Sequence, residues 1–591
     1  MATISTTPGS MSSTSVQELA QKWLQQDRDP ETRKEIQDLL SVGDDVALES
    51  RLRRRIAFGT AGLRSSMQAG YAHMNSLTVL QASQGLATYI LGQQSSHSVP
   101  PQAVVMGYDA RYNSEKFARL AAAAFIAKGL DVLWFGELVH TPMVPFAVEH
   151  FSAAAGVMIT ASHNPARDNG YKVYWANGCQ IIPPRDKDIA TAIDLETDIL
   201  SWDHNAIETS SAVRNILAEA RGAYKRAIQI LARPAKHGNM LPFTYTPMHG
   251  VGLPFMQEAV EILGFTDHGM YVVAAQANPD ADFPTVPFPN PEEKGALNLA
   301  MEEATASGSQ LIIANDPDAD RFAAAEYLDD GRWHQFTGNE MGALLAAYVL
   351  ETSSVERDQM AMLASTVSSR MLQAIAEKEG FRFQSTLTGF KYLGNVAQQM
   401  RERGLKPVYA YEEAIGYMFP SVVWDKDGIA AATVFLLARR KWHAEGLTPW
   451  RKLQSLFEHY GYFADANTYL ISPSPEVTSA TFAAIRNSSH GTPPTHIGKR
   501  KVRRWRDLTT GYDSGSADGT PDLPVDTAAQ MITCWLDDAV FTARGSGTEP
   551  KIKLYVEAIG AASSAAAKTI ANDVLKDLVS EWFPGLRLAG I

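Results

Sequence analysis

Asp316, Asp318 and Asp320 alternate along the chain directly after the apolar run Leu311-Ile312-Ile313-Ala314. Carboxylates set this close repel one another unless a cation neutralises them. Hard oxygen donors suit magnesium or calcium, not zinc. The segment is no EF-hand, because the glycine at the sixth loop position and the distal glutamate are missing. An acidic surface turn is the alternative for the triplet taken alone. Ser162 follows a second apolar run, Ala155 to Ile159, and precedes His163, Asn164 and Pro165. A hydroxyl in a loop beyond a strand can project into a cleft, where an adjacent histidine can handle a proton. A turn with a local Ser or Asn cap is the plainer alternative. The Gly-x-Ser-x-Gly elbow of hydrolases is absent here, which argues against an esterase.

Two further loops carry candidate chemistry. In Arg544-Gly545-Ser546-Gly547-Thr548-Glu549-Pro550-Lys551, small residues let backbone amides approach an anion. Hydroxyls, Arg and Lys complete a phosphate cradle. It is not a Walker A loop, since no Gly precedes the Lys in the required register. A flexible Gly/Ser loop beside a strand is the alternative. Glu412 and Glu413, shortly before Gly416, can bind vicinal sugar hydroxyls or serve as acid and base. Taken alone they are also a solvated acidic turn.

The elements that must position these loops share one pattern. A short apolar run leads into a polar loop containing Gly or Pro, and then into a helical stretch. Ala103 to Met106 precedes Gly107-Tyr108-Asp109-Ala110-Arg111, and Val408 to Tyr411 precedes the Glu412 loop. This is the signature of parallel α/β layers, whose ligands gather beyond the carboxyl ends of strands. No strict sequence repeat accompanies it. Ser15 and Glu18 have capping-box spacing and predict a first helix. Residues 1–14 are expected to be disordered. The last quarter differs. Residues 472–525 are rich in Ser, Thr, Pro, Gly and Asp around a basic island, Lys499 to Arg506, read as a solvated surface segment. Lys551 to Glu557 alternates polar and apolar as a half-buried strand does, and a terminal helix carries Ile570, Val574, Leu575 and Leu578 on one face. A smaller α+β domain is expected there.

A chain of 591 residues exceeds one hydrophobic core. The net charge of −12 gives no general attraction to nucleic acid or anionic membrane. The two cysteines, Cys179 and Cys534, form no CxxC and fit a reducing compartment. No secretory signal is evident, and no apolar run reaches the roughly 18 residues of a membrane helix. The C-terminus carries no prenylation or retention signal. A cytoplasmic protein is expected, without membrane or nucleic-acid partners.

In this order, the TASHNP, DPDADR, EExxG and RGSGTEPK loops resemble those of the α-D-phosphohexomutase superfamily. The resemblance runs from about Ala57 to the end. It implies an α/β fold of four domains around a central cleft, three similar mixed α/β domains and a smaller C-terminal α+β domain. Expected boundaries are 15–208 with the phosphoserine loop, 209–332 with the metal loop, 333–465 with the sugar loop and 466–591 with the phosphate loop. Phe58 to Arg64, Asn169 to Trp175, Asp282 to Thr285, Thr388 to Lys391 and Leu508 to Asp513 resemble the superfamily's eukaryotic phosphoglucomutase-2 branch. That branch is chiefly associated with phosphopentomutase activity on ribose phosphates, also on deoxyribose phosphates and usually less well on glucose phosphates.

The resemblance implies the following roles. Ser162 is the phosphoserine. An oxygen on Ser162, with Asp316, Asp318 and Asp320, holds Mg²⁺. Arg64, His163, Lys172 and Arg321 surround the phosphoserine. His163 and Lys391 are the candidates for proton transfer, with Arg64 a third. Thr388, Gly389, Glu412 and Ala414 line the sugar. Arg544, Ser546, Gly547, Thr548 and Lys553 hold the phosphate that is not reacting. A sugar 1,6- or 1,5-bisphosphate is the expected activator, small sugar phosphates are the partners, and the chain is expected to be a monomer or weak oligomer. Hexose-specific relatives often carry Ser where this chain has Ala414. Losing that hydroxyl weakens discrimination for a sugar that needs it, which fits a pentose. A sugar bisphosphate synthase is the competing enzyme reading, and a silent sugar-phosphate sensor the competing non-enzyme one.

Overall fold

The computed structural model describes residues 14–94, 102–233, 240–265, 269–488, 492–527, 529–545 and 551–588. The chain divides into two units, one of residues 1–337 and 415–441, the other of residues 338–414 and 442–591.

The first unit opens with the predicted helix, Val16–Gln26. Ser15 caps it, accepting from the Glu18 amide while the Glu18 carboxylate accepts from the Ser15 amide. Residues 1–13, most of the segment expected to be disordered, lie outside the described residues. Helices Pro30–Val42 and Asp45–Leu52 follow, and Trp23, Ile36, Leu48 and Leu52 pack with Tyr71 and Leu77. A sheet of six strands runs in the order Leu63–Ser66, Asp168–Trp175, Ala155–Ile159, Ala103–Tyr108, Asp131–Trp134, Val213–Asn215. The last four are mutually parallel, as the apolar runs predict. Asp168–Trp175 runs antiparallel beside Ala155–Ile159. The turn holding Ser162 therefore lies between two hydrogen-bonded neighbours.

A second sheet runs Trp333–Gln335, Ala323–Tyr327, Leu311–Ala314, Phe243–Thr246, Met270–Val272. Leu311–Ala314 is buried at every position and lies parallel to Phe243–Thr246. Its continuous apolar run reflects cover on both faces.

In the second unit, Met360–Ser365 lies between parallel neighbours Arg382–Thr386 and Lys406–Glu412. The C-terminal part is an antiparallel sheet with Lys551–Ala561 paired to Ala539–Gly545, Thr468–Ile471 and Tyr462–Asp465. Helix Ser564–Trp582 buries Val574 and Leu578 against it, with Ile570 and Leu575 partly buried.

The basic island is only in part the solvated run that its composition suggests: Lys499, Lys501 and Arg503 are exposed, but its arginines are paired. Arg500 pairs with Asp538, Arg503 with Asp537, Arg504 with Asp513 and Arg506 with Asp522. Arg506 is 3% exposed and also donates to Thr366 Oγ1 at 2.6 Å. Among the described residues no helix is long and apolar enough to cross a membrane.

Candidate active site

The first unit gathers the serine, the aspartates and four cations. Ser162 sits just beyond Ala155–Ile159 with φ +55°, and its amide donates to Thr160 Oγ1 at 2.9 Å. A non-glycine residue in this region costs about 1–3 kcal/mol. The conformation aims Oγ at Asp316 Oδ2, 2.8 Å away, with His163 Nδ1 at 3.3 Å. Burial, and then the guanidinium groups of Arg321 and Arg64, hold His163 well below its usual 6.5. It is a neutral imidazole.

The aspartates follow Leu311–Ala314. Ala319, at φ +51°, bends the loop so that Asp316, Asp318 and Asp320 converge, with ligand oxygens all within 4.8 Å of one another. All are buried. Asp318 Oδ2 accepts from Thr141 Oγ1 at 2.6 Å and Lys172 Nζ at 2.7 Å. Asp320 Oδ2 accepts from Lys172 Nζ at 2.9 Å and lies 3.0 Å from Lys426 Nζ. Burial and the charges of Asp318 and Asp320 raise Asp316 well above the usual carboxylate range. Burial also works against ionising Asp318, but the Lys172 ammonium overrides it and holds that carboxyl low.

Asp318 Oδ1 and Asp320 Oδ1 are buried and make no hydrogen bond among the described residues. Three converging carboxylates, two of them with an orphaned oxygen and with no sulfur or imidazole among them, fit a hard divalent cation such as Mg²⁺.

Arg64 reaches the same loop, donating to Asn164 Oδ1 at 3.3 Å. It is delivered by Gly62, whose φ is +72° and whose Cβ, if present, would lie 1.7 Å from the Tyr171 carbonyl. Only glycine allows so close an approach. Arg321 stands 3.9 Å from Asp316 Oδ2, and its amide donates to Asp316 Oδ1 at 3.1 Å.

The second unit holds the remaining candidates. The Gly389 amide donates to Glu412 Oε1 at 2.5 Å, at a φ of +111°. Glu413 is turned inward, accepting from Ser365 and Ser368 at 3.1 Å each. The two glutamates therefore differ: only Glu412 reaches the Thr388-Gly389 turn. Lys391 opens helix Phe390–Glu402, with Nζ 5.3 Å from the Tyr392 ring centre. Ala414 lies two residues beyond Glu412, at the unit's edge. Arg544 donates to Thr388 Oγ1 at 2.6 Å and stands directly opposite Lys553 across antiparallel strands. Like charges so placed repel across a sheet. Ser546, Gly547 and Thr548 lie outside the described residues.

Sequence reasoning missed Lys426 and Thr141. Lys426 belongs to Trp424-Asp425-Lys426-Asp427-Gly428, where Asp427 caps helix Gly428–Ala444 by accepting the amides of Ile429 and Ala430 at 3.0 Å. A lysine between two aspartates at a helix start was the available signal. Thr141 had none, because its partner is 177 residues away.

An oxygen nucleophile beside hard carboxylate ligands and a ring of cations is the equipment of a phosphoryl-transfer enzyme. Models of the phosphoglucomutase/phosphomannomutase alpha/beta/alpha domains I, II and III match residues 55–199, 223–328 and 337–460. The chain belongs to this family of phosphosugar mutases. It is 44% identical to the phosphoribomutase of Saccharomyces cerevisiae, over 95% of each chain. It is 41% identical to the human phosphopentomutase, over 92% of this chain and 91% of that one. It is also 39% identical to the human glucose 1,6-bisphosphate synthase, over 91% and 89%. A solved phosphoglucomutase/phosphomannomutase family protein from Burkholderia thailandensis superposes with a TM-score of 0.63. It shares 18% identity over 90% of this chain and 98% of that one, a likeness of fold alone.

Proposed function

We propose that the chain interconverts ribose 1-phosphate and ribose 5-phosphate through a phosphorylated Ser162 and a sugar bisphosphate. Deoxyribose phosphates are further substrates, and glucose phosphates poorer ones. The observation that carries the mechanism is Ser162 Oγ held 2.8 Å from Asp316 Oδ2, beside two orphaned carboxylate oxygens. The pentose assignment rests on the yeast phosphoribomutase and human phosphopentomutase, similar over nearly the whole chain, and on Ala414.

The free hydroxyl oxygen of the sugar monophosphate bonds to the phosphorus carried by Ser162. The bond from phosphorus to Ser162 Oγ breaks, and Oγ keeps the electron pair. The hydroxyl proton passes to His163 or Lys391; the neutral imidazole of His163 has a lone pair for it. The bisphosphate then turns over. Its other phosphoryl group returns to Oγ, and the sugar oxygen it leaves takes the proton back. Arg64, Lys172 and Arg321 neutralise charge around Ser162 during both transfers. Mg²⁺ held by the aspartates and an oxygen on Ser162 would offset further charge on the moving group. Arg544, Ser546, Gly547, Thr548 and Lys553 hold the idle phosphate, and Glu412 the sugar hydroxyls. A trace of bisphosphate primes Ser162.

The test is kcat/KM for ribose 1-phosphate against glucose 1-phosphate, with Mg²⁺ and a trace of bisphosphate. A clear excess for ribose is expected, and an excess for glucose refutes the pentose assignment. The 39% identity to the human glucose 1,6-bisphosphate synthase favours a second reading, in which the same serine takes its phosphoryl group from an outside donor. Net bisphosphate formation from 1,3-bisphosphoglycerate would select it.

A further inference from the structure

We infer that Arg111 is a positioning residue that sets the conformation of the Ser162 turn, and thereby the rate of phosphoryl transfer, without touching substrate. The guanidinium is forked into the inside of the turn. Nη2 donates to the carbonyls of Ser162 and Asn164 at 2.6 Å each. Nη1 donates to the carbonyls of Pro165 and Asp168 at 2.9 and 3.2 Å. One side chain thus fixes both legs of the turn.

Anchoring these carbonyls fixes the path of the chain out of Ser162, the residue held at φ +55° with Oγ pointing at Asp316. A strained serine holds its place only where its surroundings over-determine it. Arg111 itself is 4% exposed, so it acts through the turn.

Its own position is fixed from two sides. Asp109 accepts the Arg111 amide at 3.1 Å and the Ser114 hydroxyl at 2.6 Å through Oδ1, and its Oδ2 lies 3.4 Å from Arg111 Nε. The ring of Phe283 lies 4.9 Å from the guanidinium carbon. Phe283 has φ +47°, and its neighbour Asp282 accepts from Tyr112 at 3.0 Å. The dipeptide Arg111-Tyr112 thus links the serine turn to the 280–285 loop. Lysine cannot replace the arginine, because a single ammonium does not offer two parallel donor pairs in one plane.

Because the inference rests on the phosphoserine reading, its test needs one arm independent of activity. Arg111→Lys keeps the charge and Arg111→Met removes it. For both, we expect kcat to fall roughly 100-fold, the scale of a small misplacement of reacting atoms. KM for the sugar phosphate should stay within about threefold, since the residue makes no ground-state contact. Hydrogen exchange across residues 160–170 should quicken, with the circular dichroism spectrum unchanged. A kcat within about threefold of the parent in Arg111→Lys, or a loss that falls on KM instead, overturns the inference. Should both variants fail to fold, Phe283→Leu carries the same readouts, since it leaves the guanidinium and removes only the ring against it. It should lower kcat severalfold and loosen the same segment, and parent-like values for both refute the inference. If the parent takes up no phosphoryl group on Ser162 from a sugar bisphosphate, by intact mass, the phosphoserine reading fails. The claim on rate then falls with it, and exchange across 160–170 decides the positioning of the turn alone: faster exchange supports it and parent-like exchange overturns it.

Discussion

Replacing Glu557 by Gln should remove a pH dependence of stability from the second unit. Glu557 and Asp465 stand directly opposite each other across antiparallel strands. Like charges so placed repel. Glu557 Oε2 accepts the Arg370 amide at 2.8 Å, and Asp465 Oδ2 accepts from Asn339 at 3.1 Å and Asn467 at 3.0 Å. The cavity they line measures about 20 Å³, room for about one water. Burial pushes the Glu557 carboxyl up to about 7, with Asp465 adding and Ser369 and Arg370 opposing. Burial raises Asp465 as well.

The sign follows from the proton count. Below the ordinary 4.5 both folded and unfolded chains hold the Glu557 proton. Between 4.5 and about 7 the folded state keeps a proton that the unfolded state has lost. Stability therefore falls as pH rises through this window and levels off above it. At about 1.4 kcal/mol per tenfold change in proton affinity, the full effect is about 3 to 4 kcal/mol. Solvent reaches this half-buried side chain, and screening trims the figure to roughly 1–3 kcal/mol. A carboxamide keeps the acceptor for the Arg370 amide but cannot ionise. The variant should match the parent near pH 4.5 and exceed it at pH 8, by roughly 2–4 °C per kcal/mol for a unit of this size. Thermal scans from pH 4.5 to 8 read the difference directly. Parallel pH profiles for parent and variant would refute the assignment of the slope to this pair.

Ser162→Ala should lower mutase activity by roughly 10⁴-fold or more, because the acceptor oxygen is gone. Its Tm should stay near the parent's, and a folded, active variant would sink the scheme. Asp318→Asn should raise the Mg²⁺ concentration needed for half-maximal activity by at least roughly 10-fold; an unchanged metal titration would remove Asp318 from the ligand set. Lys426→Met should lower Tm by leaving Asp320 short of a cation 3.0 Å away. Added Mg²⁺ should restore more of that loss than it adds to the parent, and equal Mg²⁺ shifts would refute the shared-charge account. Arg544→Ala should raise KM by roughly 10- to 100-fold, the worth of a charged hydrogen bond, with a smaller change in kcat. A loss confined to kcat would move Arg544 from binding to chemistry.

The parts of the site legible in the sequence are those that one short segment can hold. Asp316, Asp318 and Asp320 announce themselves by alternation and Ser162 by its place after an apolar run, because strand-to-loop transitions leave local marks. Helix Val16–Gln26 is equally local, since its capping box spans four residues. What stayed hidden depends on distance along the chain. Thr141 is joined to Asp318, and Arg111 to Ser162, only by the fold. The basic island misled for the same reason. Composition counts Lys499 to Arg506 as free charge, whereas carboxylate partners for the four arginines arrive from Asp513, Asp522, Asp537 and Asp538. The antiparallel direction of strand Asp168–Trp175 was hidden too, because its buried run reads like that of a parallel strand.

Within the second unit, one strand joins the Arg544–Lys553 pair to the acid pair. In Lys551–Ala561, Lys553 and Glu557 lie four residues apart and so on the same face. At one end Lys553 meets Arg544; at the other Glu557 meets Asp465. Each end is tied to the parallel-sheet part of the unit, by Arg544 on Thr388 and by Glu557 on the Arg370 amide. The Arg544 guanidinium is therefore held in place before any anion arrives. If Arg544 binds the idle phosphate as proposed, ordering it beforehand lowers the entropy that binding must overcome.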